Sequence, residues 1–208
     1  CQSRPGLTAH VRQGPDRIRE KAEGHRRLRQ ELPMLQGKDI RIAMTEWNYW
    51  YGPHVFGELG TRYYMKDALG IAAGLHEYFR QSDMIHSAFY AQTVNVIGCI
   101  KTTKTAAEFD ATAYPLILYR REFGTRPLAV TGWDEQLDVA AALSADGKTL
   151  TVGFVNATWD TYNVTLNLGG LQPNGKADGW MIQHDNPMAY NDPGQEPVIQ
   201  IESLEPAD

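Results

Sequence analysis

Residues 40–51 read Ile40-Arg41-Ile42-Ala43-Met44-Thr45-Glu46-Trp47-Asn48-Tyr49-Trp50-Tyr51. The stretch opens with the β-branched and apolar residues of a buried strand. It then turns abruptly polar and aromatic and stops at Gly52-Pro53, a pair that ends any regular element. A carboxylate therefore stands at the exit of the strand, followed by an indole, an amide and further large rings. A parallel barrel presents its catalytic residues in this way, at the C-terminal ends of its strands. Aromatic faces also suit sugars, whose C–H faces pack on rings while polar groups fix the hydroxyls. An edge strand with a solvated Glu46 and core-filling rings has the same spacing, so spacing alone leaves both readings open.

Working outward, residues 1–14 are rich in Gly, Pro and polar types and read as loop. Asp16 to Leu35 is strongly charged, with Ile18, Ala22, Leu28, Leu32 and Leu35 marking the apolar stripe of an exposed helix. Its basic cluster of Arg26, Arg27 and Arg29 reads as a solvated face. On the other side, residues 52–60 form a loop that contains His54 and Glu58, and a helix is expected from about Tyr63 to Phe79. The next strand lies within Ile85 to Ile100, where Gln92 and Asn95 are polar in an otherwise apolar run and need hydrogen-bond partners. Thr105 to Phe123 reads as a helix that Pro115 kinks or divides, with Gly124 as a C-cap.

Beyond Gly124 the texture changes. Leu137 to Leu143 and Leu150 to Val155 are short strands joined through Asp146-Gly147, a hairpin signal. Tyr162 to Leu168 alternates, Gly169-Gly170 turns, and further strands are expected near Trp180 to Gln183 and Val198 to Ile201. The pattern is that of an all-β sandwich or jelly roll. The boundary falls near Gly124 to Arg126, giving an α/β portion over residues 1–124 and a β-sandwich domain over residues 125–208.

Several segments together carry a resemblance to a known family. Thr45 to Tyr51 resembles the nucleophile motif of glycoside hydrolase family 51, the retaining alpha-L-arabinofuranosidases. Tyr64-Met65-Lys66-Asp67-Ala68-Leu69 is similar to the start of the helix after that strand, and Ala91-Gln92-Thr93-Val94-Asn95-Val96-Ile97 to the family's eighth barrel strand. Tyr114-Pro115 through Tyr119 resembles the last barrel helix, and Ala189-Tyr190-Asn191-Asp192-Pro193 a late strand junction of the C-terminal domain. Thr45 is a departure, since the family usually carries Asp before the nucleophile, but Glu46, Trp47 and Asn48 stand as the motif requires.

The resemblance implies that residues 1–124 are the last strands and helices of a (β/α)8 barrel. It makes Glu46 the nucleophile that forms a covalent arabinofuranosyl ester, and Gln92 a contact to a sugar hydroxyl. Trp47, Asn48 and Trp50 complete the substrate-binding set, although an indole in a barrel layer also serves as core and Asn48 suits equally orienting Glu46 or holding a loop. A retaining enzyme needs a second carboxyl group about 5 to 5.5 Å from the first. The family takes it from an Asn-Glu pair on an earlier strand, and this chain has no Asn-Glu dipeptide. A complete barrel takes about 250 residues, so residues 1–124 correspond to a C-terminal portion, with the N-terminal part missing. Glu58, on a loop with no evident apolar pocket, is a poor substitute acid. The implied partner is an arabinose-containing oligo- or polysaccharide, and the complete enzyme is expected to be a homo-oligomer. Xylosidase or endoglucanase activity is the alternative within retaining glycosidases. A non-catalytic carbohydrate-binding or assembly fragment, stacking sugars on Trp133, Trp159 and Trp180, is the alternative outside them, with core burial of these rings the simpler expectation.

Composition narrows the remaining classes. The 208 residues are 42% hydrophobic and 22% charged, ordinary for a globular chain, and a net charge of -5 argues against a nucleic-acid partner. No apolar run is long enough for a membrane span, and no signal-peptide layout precedes the first helix. His54, His76, His86 and His184 have no metal-ligand spacing, and no cofactor is implied. Cys1 and Cys99 make no disulfide framework, and Cys99 reads as a buried thiol. Asn156-Ala157-Thr158 and Asn163-Val164-Thr165 fit the glycosylation triplet, a pattern that chance also produces, and the compartment stays open.

Overall fold

The computed structural model describes residues 6–52, 56–175 and 177–207. The first helix, α1, spans Leu7–Glu31 and so begins well before the predicted Asp16, running through Pro15. Its first turns are helical because they are buried. Val11 packs with Ala73, Val155 and Ala157, and this tertiary burial outweighs the roughly 3 kcal/mol that a proline costs inside a helix. The helix ends at Glu31 rather than Leu35 because Leu32 precedes Pro33 and is pushed to an extended conformation.

Strand β1, Ile42–Trp47, pairs in parallel with β2, Ile85–Tyr90, and helix α2, Met65–Arg80, connects them. This β-α-β unit matches the predicted order. Helix α2 is buried on several sides and organises the molecule. Tyr78 meets Ile18 and Ala22 of α1 together with Ile85, and Ile42, Met44 and Trp47 of β1 pack onto that cluster. Another face puts Met65 and Ala68 against Tyr114, Ala189 and Ile199.

The predicted long helix over Thr105 to Phe123 is corrected. Strand β3, Ile100–Thr102, turns back on β4, Ala107–Phe109, and helix α3 covers only Ala113–Glu122. Pro115 therefore sits in the first turn, where its missing N–H costs nothing, and it neither kinks nor divides the helix.

The C-terminal region forms two antiparallel sheets. The first has the order β5-β6-β7, from Arg126–Leu128, Leu137–Leu143 and Leu150–Asn156, with the hairpin turning at the predicted Asp146-Gly147. The second pairs β8, Ala177–Met181, with β9, Glu202–Ala207. Two expected strands are absent among the described residues. Tyr162 to Leu168 has no ladder, and its alternating Val164 and Leu166 are exposed, so the pattern there finds no sheet to pair with. Val198 to Ile201 lies just before β9. Asn191 takes both Ile199 main-chain groups, its Oδ1 accepting from the amide at 2.9 Å and its Nδ2 donating to the carbonyl at 2.8 Å.

Buried ion pairs fasten the helices to the first of these sheets. Asp138 of β6 accepts from Arg12 of α1 and Arg80 of α2, and its Oδ1 lies 2.7 Å from Nδ1 of His76. Burial pushes the His76 pKa down. Among the described residues, no helix is long and apolar enough to cross a membrane.

Candidate active site

The exit of β1 is shaped by an irregularity that the alternation of its residues does not reveal. Ile42 and Met44 turn toward the helices, and Ala43 and Thr45 turn away. Strict alternation would then bury Glu46 and expose Trp47. Instead Met44 pairs with Ala88 and Trp47 with Tyr90, so three steps on β1 match two on β2. This bulge puts one extra residue into β1 at Thr45-Glu46 and offsets the opposite shift at the strand's start, where the neighbours Ile42 and Ala43 face Ile85 and Ser87. Both become exposed, while Trp47 turns inward. Glu46 makes no hydrogen bond or ion pair among the described residues, so its carboxylate is free of any structural duty.

Trp47 packs edge-on against Tyr78 at 4.9 Å and Tyr90 at 6.0 Å between ring centroids. Two glycines one turn apart on α2 receive the rings that follow Glu46. A Cβ on Gly74 would stand 2.9 Å from Cζ3 of Trp47, and one on Gly70 would collide with the hydroxyl of Tyr49. Tyr49 is buried, stacks on His10 with centroids 4.7 Å apart, and donates to the His10 carbonyl at 3.0 Å. The hydroxyl of Tyr51 donates to Asp67, which also accepts from the Tyr64 amide at 2.8 Å and caps α2. The Gly70-x-x-x-Gly74 spacing, which sequence reasoning missed, is a signal that could have marked this seat.

Asn48 ties the end of β1 to the loop after β2. Its Nδ2 donates to Tyr63 Oη at 2.7 Å, to the Ala91 carbonyl at 2.9 Å and to the Ile97 carbonyl at 2.7 Å, two hydrogens serving three acceptors. Its Oδ1 accepts from the Tyr49 amide at 2.7 Å. The Tyr63 hydroxyl donates onward to the Tyr49 carbonyl at 2.9 Å, which completes the clamp. Of the two roles that the sequence left open for Asn48, holding a loop accounts for all of these bonds.

Gln92 follows β2 as Asn48 follows β1, and the two strand ends lie side by side, the Ala91 amide donating to the Trp47 carbonyl at 3.2 Å. The Gln92 side chain is exposed, so the bend that carries it is held through its backbone and through Asn48. Trp50 is 49% exposed. Thus the strand ends bring Glu46 and Gln92 to one end of the sheet, whereas Trp47 and Asn48 serve packing and loop closure. Asn95 bonds Thr102, with its Oδ1 accepting from the Thr102 amide at 2.8 Å, a wholly internal use.

The remaining candidates lie elsewhere. Glu58 is exposed on a shallow groove of about 450 Å³ lined also by Phe56, Leu59 and Thr102 to Thr105, a lining that does not include Glu46. His54 and Cys1 lie outside the described residues. Cys99 is only partly buried, and burial raises its thiol pKa. Among the three indoles of the C-terminal region, Trp133 is covered by the Arg80 guanidinium at 3.9 Å, whereas Trp159 is 70% exposed, against the expected core burial. Sequence reasoning missed Lys101 and Asp110, both buried, because a lysine in Lys101-Thr102-Thr103-Lys104 and an aspartate nine residues on look like ordinary surface charges.

The chain belongs to the family described as the alpha-L-arabinofuranosidase C-terminal domain, which matches residues 45–207. It is 30% identical over 197 residues to a probable alpha-L-arabinofuranosidase C of Aspergillus flavus, covering 85% of this chain and 38% of that protein. To the intracellular exo-alpha-(1->5)-L-arabinofuranosidase 1 of Bacillus subtilis it is 25% identical over 185 residues, covering 78% of this chain and 37% of that protein. The chain therefore spans less than two fifths of these curated relatives. Its fold is similar to that of the alpha-L-arabinofuranosidase of Thermotoga maritima solved with arabinose, with a TM-score of 0.80 at 22% identity over 98% of this chain and 46% of that one. The family 51 enzyme of Thermotoga petrophila gives a TM-score of 0.76 at 23% identity, over 93% of this chain and 44% of that one.

Proposed function

We propose that this chain carries the nucleophile side of a retaining alpha-L-arabinofuranosidase site that releases terminal arabinofuranosyl residues from arabinan or arabinoxylan. In this reading residues 1–124 are the closing part of a (β/α)8 barrel and residues 125–208 its β-sandwich domain. Glu46 attacks the anomeric carbon and forms the glycosyl ester, which water then hydrolyses. Gln92 holds a sugar hydroxyl, and Trp50 offers a ring at the rim. Trp47 and Asn48 set the Glu46 backbone rather than touching substrate. The acid/base carboxyl comes from outside this chain.

The observation that carries the proposal is the bulge at Thr45-Glu46. It turns the one carboxylate of the strand away from the helices and leaves it without a partner among the described residues, at the strand end where a parallel barrel does its chemistry. The test uses the enzyme completed by its upstream barrel half. Glu46→Ala is expected to abolish turnover of an aryl arabinofuranoside without unfolding the protein, and added azide or formate to restore part of the rate by occupying the vacated space. Hydrolysis at the wild-type rate by the alanine variant would remove Glu46 from the reaction. Preference for an aryl xyloside or glucoside would keep the mechanism and change the sugar.

A further inference from the structure

The two loops that leave β1 and β2 share one buried ammonium. Lys101 is 3% exposed, and its Nζ donates to the Leu59 carbonyl at 3.2 Å and the Val96 carbonyl at 3.4 Å. Leu59 belongs to the loop that follows the strand of Glu46, and Val96 to the loop that begins with Gln92. The third direction of the ammonium faces Asp110, whose Oδ2 is 3.8 Å away and which itself accepts from the Tyr63 and Ala111 amides. The loops also touch directly. The Thr61 amide donates to the Val96 carbonyl at 2.6 Å, and a Cβ on Gly60 would stand 2.3 Å from Val96 Cα. A buried charge is costly, and an apolar residue at 101 would fill the space but leave the Leu59 and Val96 carbonyls without this donor.

We propose that Lys101 is a positioning residue of the glycosidase site, setting the loop that carries Gln92 against the loop that leaves Glu46. This rests on the reading of the site given above. Lys101 touches no reacting group. It acts through the main chain of both loops, as Asn48 and Tyr63 do nearer the strands. Burial lowers the Lys101 pKa and raises the Asp110 carboxyl to about 7. The other titratable groups facing the pair are Tyr63 and Tyr64 on the first loop, Cys99 on the second, Tyr90 of β2, Asp67 of α2 and Tyr114 of α3. Asp110 is therefore protonated more readily in the closed arrangement than in an opened one. Coupling of the loops is then strongest in acid and weakens as pH rises through about 7.

The test is amide hydrogen exchange on the assembled enzyme together with kinetics. Lys101→Met is expected to lower the protection of residues 56–61 and 93–98 together, by about tenfold or more, the loss of a hydrogen bond to a charged group. kcat/KM for an aryl arabinofuranoside is expected to fall with it, while protection of α1 and α2 is retained. Loss in one loop alone, or unchanged kcat/KM with both loops loosened, overturns the proposal. Should Lys101→Met not fold, Asp110→Asn decides the matter, because it keeps the ammonium and its two carbonyl contacts. Protection of both loops in the wild type should decline as pH rises from 3.8 to about 7 and level off above it, and in Asp110→Asn it should be flat. Superimposable profiles overturn the proposal. The exchange measurements stand even if the wild-type enzyme forms no ester at Glu46, so failure of the site reading and failure of loop coupling are told apart.

Discussion

At the scale of residues, Glu46 and Trp47 are neighbours with opposite fates, and the bulge is what separates them. Trp47 is wedged between Tyr78, Tyr90 and Gly74, so Trp47→Ala leaves a cavity where a ring was packed. Its partial exposure sets the expected loss at about 2–3 kcal/mol, below the 3–5 of a fully buried ring, read from a urea unfolding midpoint. Glu46→Ala removes an exposed, unbonded side chain and should change the stability read from the same midpoint by no more than about 0.5 kcal/mol. Equal losses in the two variants would mean that Glu46 is a packing residue. Gln92 belongs at this scale too. Its exposed amide is free to meet a sugar, so Gln92→Ala should lower kcat/KM by about 1.5–3 kcal/mol with stability unchanged. A loss of stability with intact kinetics would make it a structural residue instead.

Between elements, charge rather than apolar area decides several contacts. Glu77 of α2 is fully buried and receives both Nε and Nη2 of Arg19 from α1 at 3.0 Å, along with Gln81 and Arg80. Burial by itself would raise its pKa, but these bonds outweigh burial and hold the carboxyl below its ordinary value of 4.5. A depressed folded pKa contributes stability above the ordinary value that is lost as pH falls through the folded one. Glu77→Ala should therefore cost about 3 kcal/mol near neutral pH, kept to the lower end because Arg19 reaches solvent, and the gap from wild type should close as pH falls below 4.5. Asp110 has the opposite sign. Burial raises it to about 7, so it contributes stability in acid that is lost as pH rises through 7. Asp110→Asn should flatten that limb. Unfolding midpoints of the two variants between pH 3 and 9, at about one-unit steps, check both signs.

For the whole molecule, the parallel pair is the weak point of these 208 residues taken alone. Each of β1 and β2 pairs with the other and, among the described residues, with no further strand. Phe89 of β2 is 57% exposed on the side away from the helices. Open parallel edges beside exposed apolar side chains favour association with another chain. The chain by itself is therefore expected to run as an oligomer on gel filtration and to show no hydrolysis of an aryl arabinofuranoside. Adding an upstream barrel half in trans should bring both a monodisperse species and activity. Full activity of the chain alone would require a second carboxylate within it, with Glu58 the first suspect.

How far the sequence reached depended on whether a signal was local. The β-α-β order around α2, the Asp146-Gly147 hairpin and the strand that delivers Glu46 were legible, because apolar periodicity and turn chemistry act over a few residues. So was the family, since Thr45-Glu46-Trp47-Asn48 and Ala189 to Pro193 are contiguous motifs. The start of α1 was not legible, because only the burial of Val11 against α2 and β7 makes a helix through Pro15 worthwhile. Tyr162 to Leu168 alternates like a strand, yet no neighbour offers it a ladder. The site depended most on tertiary structure. Alternation along β1 would have buried Glu46, and only its register against β2 shows the extra residue that turns the carboxylate outward. Lys101 and Asp110 look like surface charges in a polar run, and only the approach of two distant loops buries them. Sequence by itself determined which residues are chemically equipped to act here. Pairing register and loop contacts, which join residues far apart in the chain, decided which of them face outward and which hold the others in place.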